Sequence, residues 1–273
     1  MRALLGACHP APTVAVTLLS GLLAVGAGLD TATVVLVVVT VLAGQLSIGW
    51  SNDLLDAARD RQVGRSDKPV ARGELSEPTL RTATGVSLLA AVALPAVVGF
   101  VAGPGAAVTG LLVVAGGWAY NLGLKATALS WVPYAVAFGA LPAFVLLTGE
   151  LAVPAWVPLA GALLGVGAHV LNVVPDLADD AATGVRGMPH RLADTYGVRW
   201  VAPVGALLLV IASAVLALGA PVTGVLLGGL VVAVGGLAAT TVMTRGRSAF
   251  LAAMGIALVD VVLLVVAQGR VGA

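Results

Sequence analysis

The chain has 273 residues, 59% hydrophobic and 10% charged, with 14 Lys+Arg against 13 Asp+Glu and a formal net charge of +1. Soluble domains carry about 25% charged residues, so this composition, with a mean hydropathy of +1.06, excludes an ordinary soluble globule and points to an all-α polytopic membrane protein. Cys8 is the only cysteine, which excludes an internal disulfide and any multi-cysteine metal site.

About 20 apolar residues cross 30 Å of hydrocarbon, and nine such spans follow in chain order: 13–29, 32–51, 81–102, 105–122, 131–149, 154–174, 199–219, 222–242 and 248–267. Arg2 precedes the first. Arg59, Arg61, Arg65, Lys68, Arg72 and Arg81 lie between the second and third, and Lys125 follows the fourth. Arg186, Arg191 and Arg199 separate the sixth from the seventh, and Arg245 and Arg247 the eighth from the ninth. With the N terminus inside, only Arg270 of the 14 basic residues falls outside. This partition places loops 61–80 and 181–198 on the cytoplasmic side, and a bacterial cell membrane is the expected location. Topology thus accounts for the basic residues, and no nucleic-acid partner is expected. The outer loops carry only Asp30 and Glu150 as acids, so the working face is read as cytoplasmic. Residues 1–273 read as one membrane domain.

The spans are interrupted by one polar signature that occurs twice. Asn52-x3-Asp56-x3-Asp60-x3-Gly64-x4-Pro69 is matched 120 residues further on by Asn172-x3-Asp176-x3-Asp180-x3-Gly184-x4-Pro189. The second and sixth spans both run outside to inside, so the repeat is parallel, related by an axis along the membrane normal, with both acidic clusters at one depth. On a helix Asn52, Asp53, Asp56 and Asp60 share one face. His169, Asn172, Asp176 and Asp180 share another, provided that Pro175 does not rotate the last turn. An unpaired carboxylate at a helix centre costs about 2.5–3.5 kcal/mol. Aspartates kept at such positions therefore need cationic partners.

Opposed carboxylate clusters without cysteine suit hard divalent cations, and Mg2+ in such a setting bridges to substrate phosphate. Asp53, Asp56, Asp60, Asp176 and Asp180 are the candidate metal ligands, with Asn52 and Asn172 orienting the water shell. Mg2+ held there would neutralise a departing diphosphate, and basic groups would share its charge: Arg65 and Lys68 in the loop directly after the first cluster, Arg186 and Arg191 in the loop after the second, and Lys125 at the end of the fourth span.

These residues resemble the UbiA superfamily of intramembrane prenyltransferases. Asn52 through Asp60 is similar to that family's NDxxDxxxD motif, and Asp176 through Asp180 to its second DxxxD. Lys68-Pro69 with Gly73 resembles its basic-proline loop, and Tyr120 with Lys125 its Tyr-x4-Lys signal. The resemblance covers the nine-span layout. It implies a helical bundle around a central cavity, Mg2+ dependence, a polyprenyl diphosphate donor and a place for Tyr120 beside the diphosphate. The chain departs from the pattern before the second motif, where it reads His169-Val170-Leu171-Asn172, and near the N terminus, where His9-Pro10 replaces an Arg-Pro pair. His9 and His169 are therefore candidates for the acceptor side, and the acceptor is unknown.

Two other readings share the features. A membrane terpene cyclase would use the same ionisation without an acceptor, and a transporter would alternate around the paired clusters. Asp260, deep in the ninth span, stands apart from both motifs and is expected either to face the cavity or to make a structural hydrogen bond.

Overall fold

The structure, a computed structural model, describes residues 2–65, 68–220 and 224–243, and beyond these 248, 251, 252, 254–260 and 262. Arg245, Arg247 and Arg270 lie outside the described residues.

A short helix, α1 (Arg2–Ala7), precedes α2 (Pro10–Gly26). Asp30 caps α3 (Thr31–Gln62), its carboxylate accepting from the Ala32 and Thr33 amides. The second predicted span ends at 51, but the helix runs on through the first acidic motif to Gln62, where Gly64 takes a positive φ of 68°. Ser76 caps α4 (Glu77–Ala102), and Gly103, at φ 92°, turns the chain into α5 (Pro104–Asn121). After a 3-10 turn at Leu124–Ala126 come α6 (Val132–Thr148) and α7 (Trp156–Val173). Pro175 cannot continue an α-helical hydrogen-bond ladder. The chain therefore tightens into a 3-10 turn at Val174–Asp176 before α8 (Leu177–Ala182), so the second motif does not repeat the straight helical face of the first. The amphipathic α9 (Met188–Tyr196) leads to α10 (Val201–Gly219) and α11 (Gly224–Met243).

Eight of the nine predicted spans thus coincide with helices α2–α7, α10 and α11. The ninth, 248–267, is helical at 254–260 and lies in part outside the described residues. Among the described residues, five helical stretches are long and apolar enough to cross a membrane: Thr31–Gln62, Glu77–Ala102, Trp156–Ala182, Val198–Gly219 and Gly224–Met243. Helices α2 and α6 are apolar but shorter.

Helices adjacent in sequence pack side by side from α2 through α7, and α10 packs on both α7 and α11. Small residues set how near they come. A Cβ on Gly165 would lie 2.6 Å from the Tyr134 carbonyl, and one on Gly161 2.3 Å from that of Phe138, so α6 and α7 meet backbone to backbone. Outward side chains such as Phe100 and Val225 stay more than nine-tenths exposed, as suits a lipid-facing wall. The core falls into separate apolar clusters: Leu23, Val37, Val98 and Phe144 join α2–α6, and Leu171, Leu209, Leu230 and Ile256 join the second half. A third, Ala7, Ala57, Val70, Leu75 and Leu80, pins the loop after the first motif to the end of α3.

Candidate active site

Asp53, Asp56 and Asp60 follow one another at helical spacing along the end of α3, and all are buried, at 2%, 7% and 4% exposure. Three buried carboxylates on one helix repel each other, so the fold supplies cations. Lys68 Nζ lies 2.5 Å from Asp53 Oδ1 and 2.9 Å from His9 Nε2, which is itself 3.0 Å from the same carboxylate oxygen. Donation by the Lys68 ammonium to both pairs Asp53 Oδ1 and leaves His9 Nε2 as an acceptor.

His9 reaches this level through backbone geometry. It takes a left-handed conformation (φ 54°, ψ 70°) where the chain enters α2. Gly49, one turn below Asp53, lets the preceding segment in: a Cβ there would lie 2.4 Å from the Cys8 carbonyl. Lys68 is held by the turn that follows it, with Arg72 N–H donating to the Lys68 carbonyl and Val70 buried against Ala57.

Asp56 has two cations. Lys125 Nζ lies 2.5 and 2.6 Å from its oxygens, and Arg59 reaches Oδ2 at 2.9 Å while standing 3.9 Å from Asp60 Oδ1. The 3-10 turn after α5 delivers Lys125, and Gly187 fits under it where a Cβ would lie 2.7 Å from the Lys125 carbonyl. Burial pulls the Lys125 ammonium below its ordinary pKa, and the Asp56 carboxylate opposes that pull.

The second motif is more open. Asp176 accepts from Arg65 at 3.4 Å, a contact that ties the loop after the first motif to the second, and Asp180 Oδ2 stands 4.0 Å from His190 Nε2. Asn172, at the end of α7, lines the cavity together with Asn52 and Tyr120. His169 is placed elsewhere. It is 1% exposed, with Nε2 3.0 Å from Ser130 Oγ, which also accepts from the Met188 amide, and its ring lies 4.7 Å from that of Tyr134. Tyr134, not His169, contributes the surface.

The cavity, about 360 Å3, begins at His9, Asn52, Tyr120 and Asn172 and continues down the bundle between α2, α3, α5, α6, α7, α10 and residues 254–260. Its wall is mostly apolar. Tyr120 and Tyr134 meet edge to face at 5.2 Å near its polar end.

The structure therefore joins Asp53, Lys68 and His9 in one group and Asp56, Asp60, Lys125 and Arg59 in a second along the same helix, ties Asp176 to Arg65, and leaves Asp180 beside His190. Sequence reasoning missed Arg59 as a partner of Asp56, because it read as one more basic loop residue. It also missed Asn121, which donates to Ser51 Oγ and the Ile48 carbonyl and accepts from Asn52 at 3.2 Å; its place one residue after Tyr120 was the available signal.

Among the described residues no three acidic, histidine or cysteine side chains converge into a closed metal cage. That pattern fits Mg2+, which keeps waters and phosphate oxygens and takes one or two carboxylates per ion. Asp53 Oδ2 fits it as well: it is buried with no hydrogen-bond partner, a cost that a hard cation would relieve.

The sequence profile of the UbiA prenyltransferase family matches residues 13–265. No curated protein matches the chain. Among solved structures, a UbiA homolog from Archaeoglobus fulgidus bound to GPP and Mg2+ superposes with a TM-score of 0.72 at 17% identity, covering 98% of this chain and 99% of that one. An apo UbiA homolog from Aeropyrum pernix K1 gives 0.72 at 15% identity over 93% and 97%. A structure described as digeranylgeranylglyceryl phosphate synthase in membranes gives 0.67 at 14% identity over 98% of both chains. At these identities the likeness is one of fold.

Proposed function

The chain belongs to the UbiA prenyltransferase family, and from that premise we propose that it transfers a prenyl chain from a polyprenyl diphosphate to an acceptor within the membrane, with Mg2+. One observation carries the reading. A buried run of carboxylates, each already paired with a base, lies next to His9 and Asn52, which line the polar end of a mostly apolar cavity, and this is the division a diphosphate head and a hydrocarbon tail require.

Asp53, Asp56 and Asp60 on one side and Asp176 and Asp180 on the other would hold Mg2+, with Asn52 and Asn172 orienting its water. The metal would supply neutralisation of the leaving diphosphate. The fold neighbours bound to GPP or DMAPP also hold Mg2+. Lys68, Lys125 and Arg65 bind diphosphate oxygens in this reading, and Arg59 keeps Asp56 from repelling Asp60. The C1–O bond breaks, the electron pair leaves with the diphosphate, and the allylic cation stays in an apolar sheath faced by Tyr120 and Tyr134. The acceptor attacks C1 and loses a proton. His9, whose Nε2 faces Lys68, stands on the acceptor side with Asn172, whereas His169 acts from behind Tyr134 by fixing its ring. The motif loops face the cytoplasm, in keeping with the basic-residue partition.

The test is product analysis with labelled geranyl, farnesyl and geranylgeranyl diphosphates, Mg2+ and a crude lipid and small-molecule extract. Label carried by a product that needs the extract supports transfer. A cyclic hydrocarbon or alcohol formed at full rate without extract replaces transfer by cyclisation, with the aspartates unchanged in role.

A further inference from the structure

The cavity has a second polar feature far from the acidic motifs. Asp260 lines it and is 1% exposed. Its Oδ2 lies 3.0 Å from Ser213 Oγ on α10, and that hydroxyl also lies 3.1 Å from the Leu209 carbonyl. A serine hydroxyl carries one proton, so it cannot donate fully to both. A proton on Asp260 Oδ2 satisfies the chain: the acid donates to Ser213 Oγ, and Ser213 donates to the Leu209 carbonyl. What remains is Oδ1, a buried carbonyl-type acceptor with no hydrogen-bond partner among the described residues.

Its depth follows from helix packing. A Cβ on Gly167 would lie 2.8 Å from Leu209, and one on Gly219 2.3 Å from Trp156, so α10 runs antiparallel to α7 and Ser213 is level with the middle of α7, near residue 163. Nine residues separate that level from Asn172, or about 14 Å at 1.5 Å per residue. Gln45, on the cavity wall two helical turns below Asn52, adds an amide within the same hydrocarbon length. A wall meant only to sheathe a hydrocarbon chain gains nothing from a desolvated carboxyl group, whose unmet acceptor costs free energy.

We propose that Asp260, held in place by Ser213, forms a deep subsite that accepts a hydrogen bond from a hydroxyl group on an otherwise apolar ligand. This rests on the prenyl-diphosphate reading for where the ligand's head lies. The hydroxyl belongs either to the far end of the donor's tail or to a lipophilic alcohol or phenol acting as acceptor, and the two are separable.

Purified protein in detergent is titrated with two matched pairs, and affinity is read from ligand-dependent thermal midpoints. The first pair is 12-hydroxyfarnesyl and farnesyl thiolodiphosphate with Mg2+, and the second, free of diphosphate, is 4-hexylphenol and hexylbenzene. The hydroxyl-bearing member of one pair is expected to bind about tenfold tighter than its partner, and the pair that shows it identifies the source. Asp260→Leu is expected to erase that preference, whereas Asp260→Asn, which presents an N–H to Ser213 and a carbonyl to the ligand, retains it. Farnesyl thiolodiphosphate binding reports that the variants are folded; if the leucine variant is not, the wild-type comparison alone decides. Equal binding within both pairs, or a preference that survives Asp260→Leu, overturns the subsite and leaves Asp260 a structural or water-bound group. Loss of both diphosphates with the phenol preference intact counts against the prenyl-diphosphate reading and upholds the subsite.

Discussion

Lys125 closes on both carboxylate oxygens of Asp56, at 2.5 and 2.6 Å, across 69 residues of sequence. The lysine that ends the fourth span and the middle aspartate of the first motif are thus one unit, which under the proposed function would be half acid for metal and half base for diphosphate. Asp56→Asn is expected to cut diphosphate release by about 100-fold or more at saturating Mg2+, with the protein still eluting as a folded species in detergent. Lys125→Met is expected to raise the apparent KM for the prenyl diphosphate, with Lys125→Arg recovering part of it. Undiminished turnover in Asp56→Asn would remove that residue from the site.

Glycine positions separate packing from bare smallness. A Cβ at Gly165 meets Phe138 Cβ and the Tyr134 carbonyl at 2.6 Å, but one at Gly228 meets nothing within 4 Å. Gly165→Ala is expected to destabilise the protein by about 1–3 kcal/mol through overpacking, seen as a lower thermal midpoint and a shifted Tyr134. Gly228→Ala should leave the midpoint unchanged or raise it. Equal behaviour of the two variants would mean that α6 and α7 do not approach as closely as described.

The Asp30 cap gives a pH signature. The Thr33 hydroxyl and the Thr33 and Ala32 amides hold this carboxyl below its ordinary value. A depressed folded-state pKa contributes stability that is present above the unfolded value and is lost as pH falls through the folded one. Asp30→Ala should therefore melt below the wild type at neutral pH, and the gap should close on acidification through and below the carboxylate range. A gap independent of pH would mean that the cap does not act through its charge.

Topology is tested by reporters. Fusions after Arg65 and after Arg186 are expected to read cytoplasmic and one after Glu150 external. The same side for all three would break the assignment of the working face.

Much of this was legible in the chain because charge is costly in hydrocarbon. The two acidic runs stood out, and so did eight of the helices, since apolar length alone defines a span. The partners were not legible. Nothing in the order of residues says that Lys68 reaches Asp53 and His9 together, or that Lys125 reaches Asp56, because those contacts depend on turns packed at Val70 and Gly187; Arg59 and Asp56, by contrast, are an i,i+3 pair that follows once the helix is known to run on to Gln62. Pro175 announced a break but not its form, and the 3-10 turn there gives the second motif a different exposure from the first. His169 shows the limit most plainly: helical periodicity put it on a face with Asn172, yet the face is broad, and Tyr134 stands between it and the cavity.

The pairing of bases with acids at the mouth bears on how a ligand arrives. A cluster that carries its own counterions presents little net field beyond a Debye length of about 8 Å, so an anionic head in the aqueous phase is drawn only weakly from afar. For the prenyl diphosphate proposed as donor, capture would then depend on the hydrocarbon tail, which would concentrate it in the bilayer and confine its search to two dimensions. Encounter rate should follow the lipid-to-protein ratio and change little with ionic strength, and the ion pairs at the mouth exchange partners only after the tail has brought the head within contact range.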